Sequence, residues 1–164
     1  MSFISFKDVR KVYSMGEVSI TALDGVDFEI NEGEFVIIAG ASGAGKSTIL
    51  NLLGGMDTVS SGEILVDGKE ISSYSDRQLT QYRRDDVGFV FQFYNLIQNL
   101  TLKENVELAT QISSKPLDLD KVIESVGLTA RTANFPSQLS GGEQQRVAIA
   151  RAIAKNPKLL LCDE

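Results

Sequence analysis

The residues with the clearest chemistry in this chain are Gly40-Ala41-Ser42-Gly43-Ala44-Gly45-Lys46-Ser47, with Thr48 directly behind them. The spacing G-x-x-x-x-G-K-[ST] is that of a phosphate-binding loop. Glycines let the backbone turn sharply and gather successive N–H groups around one point, and a helix starting there adds the positive end of its dipole. A polyphosphate is the natural guest. Lys46 would reach the terminal phosphates as a flexible point charge, and the Ser47 hydroxyl would ligate a magnesium ion shared with phosphate oxygens. The alternative is a glycine-rich turn that binds nothing. From average residue usage, a chance match in a chain of this length arises on the order of 1 in 200 times.

Two further stretches carry chemistry. Leu159-Leu160-Leu161-Cys162 followed by Asp163-Glu164 reads as a strand delivering two acids at its C-terminal end, where open parallel sheets bind their ligands. Beside a phosphate loop, Asp163 can hold the metal through water and Glu164 can orient and polarise an attacking water. Leu139-Ser140-Gly141-Gly142-Glu143-Gln144-Gln145-Arg146 places a hydroxyl and two glycines before a helix, which describes either a second anion site or a simple cap by Ser140.

Positioning these residues requires both strands and helices. Alternating apolar and polar residues over 4–12 and 18–30 predict half-buried antiparallel strands, with Val26, Phe28 and Ile30 on one face. Residues 35–39 are apolar on both faces, the pattern of a central parallel strand feeding the glycine loop. A helix carrying Ile49, Leu50, Leu52 and Leu53 ends at Gly54-Gly55. Asp67-Gly68 marks a tight hairpin, residues 75–84 a short polar helix, and residues 87–91 a second buried strand ending at Gln92. Thr101-Leu102-Lys103-Glu104 is a capping box opening a helix; Asp118 or Asp120 starts another, closed by Gly127; a third runs from about Gly142 to Lys155, stopped by Asn156-Pro157.

The 164 residues make one domain with ordinary hydrophobic (43%) and charged (23%) content. The net charge of -6 argues against a general nucleic-acid binder, so no nucleic-acid partner is expected. Apolar runs fall far short of the ~20 residues that cross a bilayer, and the N-terminal residues lack a secretory signal, so a cytosolic location is expected. The single cysteine, Cys162, sits in an apolar run and reads as core.

The stretch Leu139 through Arg146 resembles the signature of ATP-binding-cassette (ABC) ATPases, and the match extends along the chain. Lys11-Val12-Tyr13-Ser14-Met15-Gly16-Glu17, Gly88-Phe89-Val90-Phe91-Gln92 and Pro136-Ser137-Gln138 resemble in particular the cassettes serving macrolide, lipoprotein and peptide exporters. The resemblance implies an α/β phosphate-loop NTPase of ABC type, with an N-terminal antiparallel β subdomain and an inserted helical subdomain. It divides the chain into the β subdomain and phosphate-loop core (1–98), the helical subdomain (99–140), and the signature helix with the acid-bearing strand (141–164).

It further implies that Tyr13, otherwise a half-buried strand residue, stacks on adenine, and that Gln92 touches magnesium and the attacking water. Ser140, Gly141, Gly142 and Glu143 would act on ATP held by a second copy, in a homodimer closed head to tail over two nucleotides. The implied cofactors are ATP and Mg. The implied partners are a second cassette and transmembrane permease subunits, with the chain peripheral on the inner face of the cell membrane. Export, read by subfamily, would be the outcome. The family continues past the two acids, into a strand expected between the phosphate-loop strand and the acid-bearing strand and a switch histidine; this sequence has no histidine. By this resemblance the C-terminal part of the core is expected to be missing. An open centre of the sheet is expected, together with weaker ATP binding and hydrolysis than in a longer chain. A soluble cassette remodelling a macromolecular complex and a small-molecule kinase are the competing classes. The former would bring fused cassettes or long coiled coils, and the latter leaves the signature stretch unexplained.

Overall fold

The computed structural model describes residues 2–163, in two compact units, one running to Thr80 and the other beginning at Gln81. In the first, β1 (Ile4–Met15) and β2 (Val18–Ile30) form an antiparallel hairpin whose register places Phe6 opposite Phe28, their rings stacked 4.3 Å apart. Val26, Phe28 and Ile30 face inward and Asp27 and Glu29 outward, as the alternation requires. The other edge of β1 pairs with β3 (Ser61–Val66), which turns back into β4 (Lys69–Glu70) and gives the order β2-β1-β3-β4. Asp67 and Gly68 both take positive φ, the conformation that a two-residue hairpin demands. Ile4, Phe6, Val9, Leu23, Ile64 and Val66 are buried on this sheet.

The glycine loop leads into α1 (Lys46–Leu53), which buries Leu52 and Leu53 and ends at Gly54. The expected central strand over residues 35–39 does not form. Phe35 is 90% exposed and Ile37 77%, and neither sheet among the described residues includes this run. A segment apolar on both faces becomes a strand only when neighbours pair with its edges and layers cover its faces, and here it has neither.

A polar helix, α2 (Asp76–Asp85), runs across the boundary. In the second unit, β5 (Val87–Val90) lies parallel to β6 (Leu159–Cys162), Val87 opposite Leu159 and Val90 opposite Cys162. Between them come α3 (Leu102–Ile112), α4 (Leu119–Ser125) and α5 (Gly141–Ala154). Val90, Leu102, Val106, Ile123, Leu128 and Val147 form the centre of their shared core. The alanines of α5 let the strand approach closely: a Cβ at Gly88 would lie 2.7 Å from the Ala152 carbonyl oxygen. Asn156, at φ 57, turns the chain out of α5 ahead of Pro157. Cys162 is exposed, contrary to its apolar surroundings in sequence. Strand alternation explains this, since Leu161 is buried and Leu160 and Cys162 point the other way. No helix among the described residues is long and apolar enough to cross a membrane.

Candidate functional site

The loop geometry follows from its glycines. Gly43 and Gly45 take φ 79 and 86, and Ala44 N–H closes the turn onto the Ala41 carbonyl at 3.2 Å. At Gly45 a side chain is excluded twice, because a Cβ would stand 2.7 Å from the Ala22 carbonyl oxygen and 2.8 Å from Leu23 Cδ2. Gly40 packs its backbone near Ala44, where an added Cβ would meet Ala44 Cβ at 3.2 Å.

Gly45 is also the N-cap of α1, and it supplies no side-chain hydrogen bond to the first turn. Lys46, Ser47 and Thr48 bring no acid there either, so the positive end of this helix is left for an external anion. Lys46 folds back across the loop and donates to the carbonyls of Gly40 at 2.9 Å and Ala41 at 2.8 Å. Its ammonium therefore sits over the loop that would cradle a phosphate. Ser42, Gly43, Ala44 and Ser47 are exposed on the same loop. These residues fit a polyphosphate, and the Ser47 hydroxyl is a hard oxygen donor suited to Mg.

Tyr13 lies in the same unit, half-exposed near the end of β1. Its hydroxyl donates to Asp57 Oδ2 at 2.7 Å, and Thr48 bonds the phenolic oxygen. Lys11, buried two residues earlier on the same strand face, donates to Asp57 Oδ1 and to the Thr58 carbonyl, each at 2.6 Å. Burial pushes the Asp57 carboxyl up, but hydrogen bonds from Lys11, Tyr13 and the Thr58 N–H outweigh it and hold the group below its ordinary range. Tyr13 moves up, through burial and then the adjacent Asp57 carboxylate. Sequence reasoning missed Lys11 and Asp57. The available signal was a lysine two positions from an aromatic residue on one strand face.

In the second unit, Gln92 is exposed just beyond β5, and Asp163 follows β6, its N–H bonded to the Val90 carbonyl at 3.0 Å. The parallel register thus brings both to the C-terminal end of the strand pair. Amide and carboxylate oxygens again suit Mg. Glu164 lies outside the described residues.

Ser140 is the N-cap of α5. Its hydroxyl accepts from Glu143 N–H at 3.3 Å while Glu143 takes the Ser140 N–H at 2.8 Å. This reciprocal box, with Arg131 Nε 3.3 Å from the carboxylate, keeps Glu143 below its ordinary range, chiefly through the Ser140 N–H. Gly141 and Gly142 are exposed, with open space where a side chain would be.

The family profile for ABC transporters matches residues 23–164, which takes in the phosphate loop, Gln92, the capped signature helix and both acids. The chain belongs to the ABC transporter family. Among ABC transporter relatives, an uncharacterized ATP-binding protein of Thermotoga maritima is 51% identical over 162 residues, covering 96% of this chain and 69% of that protein. A methionine import ATP-binding protein of Geobacillus kaustophilus is 44% identical, and this chain covers 48% of its length. The fold is that of ABC ATPase cassettes. The ATP-binding cassette MJ0796 of Methanocaldococcus jannaschii, in a dimeric post-hydrolysis state bound to ADP and Pi, superposes with a TM-score of 0.88 at 45% identity, covering 98% of this chain and 73% of that one.

Proposed function

We propose that this chain is the ATP-binding and ATP-hydrolysing part of an ABC transporter, energising export across the cytoplasmic membrane by pairing head to tail with a second copy. The observation that carries the reading is the uncapped, acid-free start of α1 behind two left-handed glycines, with Lys46 folded over the loop.

Residues 40–48 bind the phosphates: backbone N–H groups and the helix end orient them, and Lys46 exchanges its loop carbonyls for phosphate oxygens. Ser47, Gln92 and Asp163 each offer an oxygen donor suited to Mg, which would neutralise charge developing on the phosphate oxygens. Glu164 and Gln92 orient the attacking water, Glu164 as the proton acceptor. Tyr13 offers its ring to adenine. Ser140, Gly141, Gly142 and Glu143 face the nucleotide of the second copy, in keeping with the dimeric state of the MJ0796 cassette. Permease subunits read the closure of the pair, and the chain works from the cytoplasmic face.

The Geobacillus relative, an import protein, favours a second reading in which the same ATPase drives uptake. Two measurements test these proposals. Steady-state ATP hydrolysis should fall about a hundredfold or more in Glu164→Gln, and unchanged turnover would overturn the enzymatic reading. ATP-driven accumulation of substrate inside inverted membrane vesicles holding the chain with its permease supports export; ATP-driven loss from them supports import.

A further inference from the structure

The Lys11–Asp57–Tyr13 cluster is more elaborate than burial of one half-exposed aromatic requires. Both carboxylate oxygens of Asp57 are committed, Oδ1 to Lys11 at 2.6 Å and Oδ2 to the Tyr13 hydroxyl at 2.7 Å. The Lys11 ammonium also stands 4.9 Å from the Tyr13 ring centroid, within cation–π range. One face of the ring is therefore covered and its polar tip is tied down, which leaves a ring face as what it can offer a ligand.

The anchor is itself tied to the phosphate-binding element. Asp57 N–H bonds the Asn51 carbonyl of α1 at 3.3 Å, Met56 N–H bonds the same oxygen at 2.8 Å, and Thr48 of the first turn of α1 bonds the Tyr13 hydroxyl. On the strand side, Ser60 N–H reaches the Arg10 carbonyl and Ser60 Oγ accepts from Val12 N–H, each at 2.9 Å. The loop after α1 is thus stitched to β1 on either side of Lys11. Ring and phosphate loop are fixed relative to each other through one helix.

Building on the nucleotide reading above, we propose that Lys11 and Asp57 are positioning residues. They hold the Tyr13 ring as a one-sided stacking platform for a nucleobase, at a set distance from the phosphate loop. Neither touches the ligand. Their contribution is preorganisation: an untethered tyrosine at a strand end would have to be ordered on binding, whereas this ring is ordered beforehand. Recognition by a ring face is tolerant of base identity, since every base has a π face.

The test compares Mg-ATP with Mg-tripolyphosphate, a probe that has the phosphates and lacks the base, in competition titrations against a fluorescent ATP analogue bound to the full chain. Tyr13→Ala should weaken ATP and leave tripolyphosphate unchanged. Asp57→Asn, Lys11→Met and Tyr13→Phe should each weaken ATP about threefold or more without changing tripolyphosphate. The Tyr13→Phe result is the informative one, because the ring remains and only its tether is lost. The double variant Asp57→Asn/Tyr13→Phe should be no weaker than the worse single variant. The proposal is overturned if Tyr13→Ala loses ATP affinity while Asp57→Asn, Lys11→Met and Tyr13→Phe retain it. It is overturned equally if these variants weaken both ligands alike, which would mark the cluster as a support of the loop. If the unmutated chain binds neither ligand, or binds both regardless of Lys46→Ala, the nucleotide reading itself fails and takes this proposal with it.

Discussion

Arg151 donates to the Tyr94 carbonyl at 2.6 Å, and its second nitrogen reaches the neighbouring Asn95 carbonyl at 2.7 Å. Tyr94 and Asn95 take φ 54 and 49, a conformation that side-chain-bearing residues adopt rarely and seldom in succession. The loop that begins at Gln92 is thus held in an unfavourable shape by a planar fork projecting from α5. Removing the fork in Arg151→Met should lower stability by about 1.5–3 kcal/mol and should speed amide exchange over residues 93–97 beyond the change elsewhere. Arg151→Lys should recover only part of this, since an ammonium cannot span both carbonyls with the same geometry. Exchange that is unchanged in Arg151→Met would mean that the loop holds its shape unaided.

Asn105 is a second internal support. It is fully buried in α3, accepts from Ile97 N–H at 2.8 Å, and donates to the carbonyls of Ile97, Leu100 and Thr101, each at 3.0 Å. Asn105→Ala takes a partner from the Ile97 N–H and the Leu100 carbonyl, while the Ile97 and Thr101 carbonyls keep backbone N–H donors, so urea denaturation should show a loss of about 1–3 kcal/mol. A loss below about 0.5 kcal/mol would show that these backbone groups find other partners.

Local features of the fold were legible in the sequence because they depend on residues a few positions apart. Thr101 and Glu104 form the box their spacing predicts, Asp67-Gly68 makes the hairpin, and Asn156-Pro157 ends α5. The glycine turn leading into α1 was legible for the same reason. Where a distant neighbour decides the outcome, pattern alone fell short. Residues 35–39 have the composition of a central strand but no partner strand among the described residues, and Cys162 follows the outward phase of β6. The pairings of Lys11 with Asp57 and of Arg151 with Tyr94 join residues 46 and 57 positions apart, and no periodicity announces them.

The Asp57 cluster carries a pH dependence whose sign is fixed. The folded-state carboxyl lies below its ordinary value, so its stabilising contribution is fully present above the unfolded pKa of about 3.9 and is lost as pH falls through the lower folded value. The stability difference between the unmutated chain and Asp57→Asn should therefore be largest at neutral pH and shrink as acid is added below about pH 4. A difference that stayed constant down to pH 2 would contradict the ion pair with Lys11.

Ser140 and Thr101 cap their helices in the same way, and that similarity separates structure from function. Ser140→Ala and Thr101→Ala should each lose about 1 kcal/mol of stability. Only Ser140→Ala should weaken ATP-dependent pairing of two copies, measured by sedimentation with Mg-ATP. Equal effects on pairing would reduce Ser140 to a cap.

The most direct test of the central claim is equilibrium binding of Mg-ATP to the unmutated chain and to Lys46→Ala. The bond lost is charge-assisted, so the variant should bind roughly tenfold more weakly or worse while remaining folded by circular dichroism. Saturable binding of equal affinity in both would contradict the assignment of residues 40–48 as the phosphate site.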